Sequence, residues 1–211
     1  MRFLIKYKNI IFILIAAAGI NLFSVLRNFD GIDSDAFLYS EVARNIARGR
    51  GITTSVLYPY EMHFAKGLEH HYFGSSPLHP ILISGLFKLF GAGEWPVVLL
   101  GSIFFILVSV FIYCLGKEAF GEKTGLLAAL LLMTDTNMIR FSTSGMTEMT
   151  YAFLLLACVY FLYKAVTVPS FLVSGLFFGL SQLTRQNHFI FLWVFLAYIF
   201  LLHGKRGLIY S

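Results

Sequence analysis

Residues 95–116 read WPVVLLGSIFFILVSVFIYCLG and contain no charged side chain. A bilayer core about 30 Å thick is crossed by roughly 20 mostly apolar residues in a helix. The stretch therefore predicts a transmembrane helix, and it places the chain among the membrane proteins.

The overall composition agrees with a membrane protein. Of the 211 residues, 58% are hydrophobic, 17% are aromatic and only 13% are charged, whereas soluble domains carry about 25% charged residues. The net charge of +5 is expected to report topology rather than a polyanionic partner. Because no basic run is interleaved with aromatic residues, we expect membrane lipids as partners and exclude nucleic acid.

Five other apolar stretches predict further spans, at residues 9–27, 124–141, 146–164, 169–184 and 186–204. The basic start of the chain also permits a signal peptide, but the first apolar run continues through Val25, which favours a span. We therefore predict an all-α polytopic membrane protein with about six transmembrane helices. Residues 1–211 would form a single module in the cell membrane, with one long outer loop at residues 28–94.

Residues 77–90, PLHPILISGLFKLF, are apolar but too short to span, since they reach only roughly 21 Å as a helix. We predict that they form a helix lying in the membrane interface. The basic residues support this topology under the positive-inside rule. Six spans and a cytoplasmic N-terminus leave only Arg140 and Arg185 in the short outer turns, while the inner segments hold Arg2, Lys6, Lys8, Lys117, Lys123, Lys164, Lys205 and Arg206.

The outer loop carries two closely spaced carboxylates, Asp33 and Asp35. Residues 36–48 have the apolar spacing of an amphipathic helix, and Gly49 is a plausible stop. Asp35 stands immediately before this helix, where a cap accepts free backbone N–H groups and the helix dipole favours a negative charge. The same environment would keep Asp35 ionised and fixed in direction, as a general base requires. A structural cap and a catalytic base are both compatible with this position.

Three neighbouring residues further along the loop, Glu69, His70 and His71, have side chains that bind divalent metals. Their spacing is not diagnostic of a metal site, and an ordinary solvated loop accounts for them better. His79, between Leu78 and a proline, is similarly ambiguous.

Four charged residues lie at the ends of predicted spans, on the same side of the membrane as Asp35. Ionisable groups in such places are costly and point to function. Asp135 and Arg140 could form a structural pair, and Glu148 begins the next span. Arg185 lies at the following outer turn, where a guanidinium can hold a phosphate in bidentate fashion or simply reach into the interface. Carboxylates facing a phosphate clamp suit group transfer from a lipid phosphate.

The loop sequence 35–49, DAFLYSEVARNIARG, resembles the first-loop motif of the GT-C membrane glycosyltransferases. It is most similar to the family-39-like group, which includes the protein O-mannosyltransferases, the lipid A aminoarabinose transferases and the RgtA/B/C/D-like enzymes. The similarity continues at 76–80 (SPLHP), at 144–148 (SGMTE) and at 175–185 (GLFFGLSQLTR). These matches follow the family's order and cover nearly the whole chain.

The resemblance implies a hexosyl- or pentosyltransferase that uses a polyprenyl-phosphate-linked sugar as donor. Asp35 would be the general base in an inverting displacement at the outer face, with Asp33 in support. Glu148 would position the acceptor or a divalent cation. Arg185 would hold the departing lipid phosphate, and the motif residues Tyr39 and His79 are predicted to bind substrate.

Two departures from the family pattern limit what can be transferred. Ala36 stands where the family usually has a second carboxylate, and Ser75 stands near the place of a metal-binding Glu in the aminoarabinose transferases. The family also has about a dozen spans, so the chain is expected to be the N-terminal part of a longer enzyme. This leaves open whether it is active alone.

Two other classes of function compete with the transferase. A transporter or flippase for a lipid-linked or anionic solute would also concentrate charge, although nearer the membrane midplane and in broken helices. A non-catalytic membrane scaffold would need none of these charges. The sequence does not determine the sugar, the acceptor or the oligomeric state.

Overall fold

The computed structural model describes residues 7–29, 31–56, 70–71, 77–165, 167–185 and 190–207. These residues fold almost entirely into helices, which confirms the predicted all-α fold class. In chain order the helices are α1 (Lys8–Asn28), α2 (Ser34–Ala47), α3 (Leu78–Phe90), α4 (Glu94–Phe120), α5 (Glu122–Thr134), α6 (Thr136–Thr143), α7 (Glu148–Tyr163), α8 (Val168–Gln182) and α9 (Ile190–Gly207). Strands β1 (Thr53–Thr54) and β2 (His70–His71) form a small antiparallel pair.

Two helices in the described part of the chain, α1 and α4, are long and apolar enough to cross a membrane. Helices α6 and α7 qualify only as a pair, and they are bent by 113° at the break between them. Helices α3 and α8 and the apolar part of α9 are shorter. The protein is therefore a membrane protein with two or three candidate spans, and the predicted number of about six is not confirmed.

Helix α4 is the centre of the fold and packs against α1, α3, α5, α6 and α7. Small residues allow the neighbouring backbones to approach it closely. A Cβ atom on Gly101 would lie 2.4 Å from the carbonyl oxygen of Ser142 in α6. One on Gly125 of α5 would lie 2.6 Å from the carbonyl oxygen of Tyr113. Both glycines are required for this packing.

The predicted span 124–141 is not one helix. The chain breaks at Asp135, which has an extended backbone and accepts a hydrogen bond from the Met138 amide at 2.9 Å. An aspartate in this position satisfies a free N–H group of the new helix α6. Asp135 is therefore a helix cap, and Arg140 contacts Asp33 instead of forming the pair with Asp135 that the sequence allowed.

The prediction that Asp35 caps α2 is also wrong. Helix α2 begins at Ser34, Asp33 occupies the cap position without a side-chain cap hydrogen bond, and Asp35 lies in the first turn. The helix begins earlier because the Asp33 amide donates a hydrogen bond to the Ser144 carbonyl oxygen, which anchors the chain at that residue. Asp35 still lies at the positive end of the helix dipole.

Candidate functional site

The start of α2 lies against the turn that joins α6 to α7. The Asp33 amide donates to the Ser144 carbonyl oxygen at 2.9 Å. The next residue, Gly145, has a φ of +76°, and a Cβ on it would lie 2.7 Å from Val97 and 3.0 Å from the Ala36 side chain. Only glycine combines this backbone conformation with this close approach. The contact holds the Asp33–Asp35 segment beside the start of α7.

His79 links three parts of this region from a fully buried position. Its Nε2 lies 3.1 Å from the Gly145 carbonyl oxygen, and its Nδ1 lies 3.0 Å from the Thr150 hydroxyl. The Tyr39 ring meets the imidazole edge to face, with centroids 5.5 Å apart. A carbonyl oxygen only accepts, so Nε2 carries the proton and Nδ1 accepts from Thr150. His79 thus holds α2, α3 and α7 together.

The predicted contact between His79 and substrate would need this buried cluster to open. In the structure the imidazole contacts Tyr39, Gly145 and Thr150, and substrate binding by His79 stays a prediction. Burial lowers the pKa of His79 to about 4, although the hydrogen bond with Gly145 opposes the shift. The side chain is therefore neutral at physiological pH.

Acidification is expected to destabilise the fold through His79. The unfolded chain takes up a proton on this imidazole below about pH 6.5, while the folded chain does so only near pH 4. Stability should therefore fall as the pH decreases from 6.5 to 4, by at most about 3 kcal/mol from this group. Thermal unfolding in detergent between pH 7 and pH 4.5 would measure the loss. His79→Gln should flatten the profile, and an equally steep profile in that variant would contradict the assignment.

Arg185 and Glu148 form an ion pair at the N-terminal end of α7. Arg185 Nη1 lies 2.7 Å from Glu148 Oε1, with 37% and 19% of the two side chains exposed. The end of α8 is held in place because the Leu78 amide donates to the Leu183 carbonyl oxygen at 3.2 Å. The sequence predicted that these two residues lie on the same side of the membrane, and in the structure they are in direct contact.

The Arg185–Glu148 pair lines a cavity of about 300 Å³. Met138 and Phe141 of α6 and Tyr151 of α7 form much of the remaining wall. Glu148 Oε2 is buried and receives no hydrogen bond from any residue that the structure describes. Buried polar atoms are nearly always partnered, so this oxygen is suited to accept from a hydroxyl or another donor of a bound molecule.

Asp35 is exposed in the first turn of α2. Among the described residues, no hydrogen bond or ion pair to its carboxylate is found. Side chains four residues apart share a helix face, so Asp35 lies on the same face as Tyr39, whose ring contacts His79. The Asp35 carboxylate is thus accessible, and its helix is anchored to the segment that leads into Glu148.

Asp33 forms an ion pair with Arg140, in which Oδ2 lies 3.4 Å from Nη2. The pair lines a second cavity of about 440 Å³, with Ser144 in its wall. Sequence reasoning missed this partner for Arg140. The signal was the Thr134-Asp135-Thr136 stretch, which is typical of a helix start and would have separated Asp135 from Arg140.

The region of the predicted metal site is only partly described. Glu69 and the side chain of His70 lie outside the described residues, and His71 Nδ1 lies 3.0 Å from the Ile52 carbonyl oxygen. Within the described ranges no group of three or more His, Cys, Asp or Glu side chains is placed to hold a metal ion. The divalent cation stays a prediction.

Comparison with known proteins adds one finding. The sequence model of the family described as dolichyl-phosphate-mannose-protein mannosyltransferase matches residues 74–211. The matched region contains His79, Glu148 and Arg185, and it begins after the Asp33–Asp35 segment. No curated protein and no solved structure matches the chain.

Proposed function

Since the chain belongs to the dolichyl-phosphate-mannose-protein mannosyltransferase family, which is of the GT-C glycosyltransferase type, we propose that it transfers a sugar from a polyprenyl-phosphate carrier to an acceptor hydroxyl. The transfer takes place at the outer face of the cell membrane, in which the chain is a multi-pass protein. The transferred group is a hexosyl or pentosyl unit.

The observation that carries this proposal is the Arg185–Glu148 pair. The turn just before Glu148 anchors the start of the helix that carries Asp35, because the Asp33 amide donates to the Ser144 carbonyl oxygen. The 2.7 Å contact engages Nη1 of Arg185 and sets the plane of the guanidinium. A guanidinium has five N–H donors in a fixed fork, which suits a phosphate. We assign Arg185 to the phosphate of the donor, where it stabilises the negative charge that develops as the lipid phosphate departs.

Asp35 is proposed as the general base. Its carboxylate takes the proton of the acceptor hydroxyl while that oxygen attacks the anomeric carbon. The bond between the anomeric carbon and the phosphate oxygen breaks, and the electron pair leaves with the polyprenyl phosphate. The displacement inverts the configuration at the anomeric carbon, because no covalent intermediate with the protein is formed.

Glu148 and Asp33 support this reaction from the two sides of α6. Glu148 Oε1 orients Arg185, and its buried Oε2 is available to accept from a hydroxyl of the substrate. Asp33 lies at the start of α2, where its backbone amide donates a hydrogen bond to the Ser144 carbonyl oxygen and fixes the direction in which the helix leaves the loop. Tyr39 contributes by packing against His79 one turn after Asp35.

The direct test measures cleavage of the donor. Vesicles containing the chain are supplied with polyprenyl-phosphate mannose labelled in the sugar. The expected result is label in an acceptor fraction together with an equal amount of free polyprenyl phosphate. Label that is recovered only in the intact donor, whichever leaflet it occupies, would overturn the proposal.

One observation favours the transporter as a second candidate. The 113° bend between α6 and α7 is compatible with a re-entrant or broken span, and broken helices line the substrate sites of many transporters. Asp135, one of the charges that a transporter would use, is however explained as the cap of α6. Donor that crosses the bilayer uncleaved, at a rate unaffected by Asp35→Asn, would favour the transporter.

A further inference from the structure

Helix α6 lies between two cavities, and each of its two faces lines one of them. Thr136, Ile139, Arg140 and Thr143 line the cavity that contains Asp33. Met138 and Phe141 line the cavity that contains Glu148 and Arg185. The first set has the i, i+3, i+4, i+7 spacing of one helix face. A ligand held by Arg185 therefore lies on the other side of α6 from Arg140.

An apolar groove of about 400 Å³ runs between α1 and α4. Its walls are apolar except for Asn21 and Ser102, and both of these side chains are already satisfied within the protein. Asn21 donates to the Ser142 hydroxyl at 2.6 Å, and Ser102 donates to the Val98 carbonyl oxygen at 2.9 Å. The groove therefore presents a hydrocarbon surface, which suits an acyl chain.

The groove and the Asp33–Arg140 cavity adjoin at Phe29, which lines both. The groove involves the C-terminal part of α1 and the N-terminal part of α4, so it runs from the hydrocarbon region toward the membrane surface that carries Arg140. At this end of the groove the side chain of Arg140 is more exposed than that of its partner Asp33 (69% against 38%), so the cation is the more accessible charge for the anionic head of a lipid.

The cationic end is accessible to a ligand. Arg140 has 69% of its side chain exposed, and only its Nη2 is engaged by another described residue, Asp33, at the long distance of 3.4 Å. The Ser144 hydroxyl, in the wall of the same cavity, is buried without a hydrogen-bond partner in the part of the chain that the structure describes. A phosphate can accept from the remaining guanidinium N–H groups and from this hydroxyl.

We propose that the α1–α4 groove and the Asp33–Arg140 cavity together bind an anionic phospholipid of the surrounding bilayer. One acyl chain lies in the groove, and the phosphate contacts Arg140. The polyprenyl-phosphate donor is not the occupant, because its phosphate is assigned to Arg185 beyond α6. The choice of a bilayer phospholipid over this donor rests on the proposed function.

Trp95 offers a direct readout because it lines the groove and is 55% exposed. The chain has two tryptophans, so Trp193→Phe leaves Trp95 as the single reporter. Its fluorescence is measured in vesicles as a small fraction of the lipid is replaced by brominated phosphatidylglycerol or, in parallel, by brominated phosphatidylcholine. We expect quenching to show an apparent preference for the anionic lipid of up to about fivefold, the full effect of one cation near the surface, because Asp33 offsets part of the charge of Arg140.

Matched substitutions test whether the preference for the anionic lipid comes from Arg140 and the groove. Arg140→Gln should abolish it, whereas Arg48→Gln, which removes another exposed cation of the outer loop, should leave it unchanged. Ser102→Phe should also abolish it by filling the groove, whereas Ile103→Phe, one position along on an exposed part of α4, should not.

Equal quenching by the two lipids, or a preference that survives Arg140→Gln, would overturn the proposal. Displacement of the brominated phosphatidylglycerol by an equimolar amount of polyprenyl phosphate would overturn the assignment to a bilayer phospholipid. Since no sugar donor is present, a failure here leaves the proposed transferase untouched, and a failure of the transfer assay leaves this site untouched.

Discussion

Replacing Asp35 with asparagine is expected to lower the rate of sugar transfer by about 10²–10⁴-fold, the usual contribution of a positioned general base. Asparagine has nearly the same size but cannot take the proton of the acceptor hydroxyl. Asp35 is exposed, and among the described residues no interaction of its carboxylate supports the fold. The substitution should therefore leave membrane insertion and thermal stability unchanged. Initial rates from a labelled polyprenyl-phosphate sugar would measure the effect.

Glu94→Gln is the matched control for this variant. Glu94 is also an exposed carboxylate in the first turn of a helix, at the start of α4. It therefore experiences the same kind of helix dipole without belonging to the site. Transfer should be unaffected by its loss. If Asp35→Asn and Glu94→Gln had the same rates, Asp35 would not be the base.

Replacing Arg185 with glutamine is expected to reduce transfer by about 10²–10³-fold, comparable to the loss of one group that stabilises a developing negative charge. The same variant should bind the donor more weakly, since it lacks the guanidinium that contacts the phosphate. Arg185→Lys should restore only part of the activity, because an ammonium group cannot provide the bidentate fork. Steady-state rates as a function of donor concentration would show both effects.

Glu148 allows a stricter test of the Arg185 assignment. The two side chains are in contact at 2.7 Å, so their effects should not be additive. Glu148→Gln in the Arg185→Gln background should cost much less activity than Glu148→Gln alone. Additive losses would mean that the two residues act separately, and unchanged donor binding in Arg185→Gln would exclude the phosphate role.

The fold class could be predicted because it depends on local composition. Helices α1 and α4 are encoded by uninterrupted apolar runs, and their observed bounds, Lys8–Asn28 and Glu94–Phe120, lie close to the predicted 9–27 and 95–116. The helix predicted over the short apolar segment 77–90 agrees with the observed bounds, Leu78–Phe90.

Tertiary contacts decided what the sequence could not show. Hydropathy is nearly continuous across 124–141, and only the cap formed by Asp135 divides it. The start of α2 moved from Ala36 to Ser34 because the Ser144 carbonyl oxygen, over a hundred positions away in the chain, binds the Asp33 amide. No pattern within residues 28–49 contains that information.

The sequence allowed us to predict which charged residues belong to the candidate site, but not how their side chains contact one another. The alternation of spans placed Glu148 and Arg185 on one side of the membrane, while their contact depends on how α7 packs against α8. His79 was singled out as a substrate ligand because its type and motif allowed it. Its complete burial among Tyr39, Gly145 and Thr150 became visible only in the folded chain.

The central claim is that two residues of the site have separate roles, with Asp35 as the general base and Arg185 as the group that binds the donor phosphate. The most direct measurement compares donor binding with turnover in the Asp35→Asn protein, using a labelled polyprenyl-phosphate sugar for both. The predicted result is a donor Kd equal to that of the unaltered protein together with loss of transfer. Loss of donor binding in parallel with transfer, or transfer at the unaltered rate, would contradict the claim.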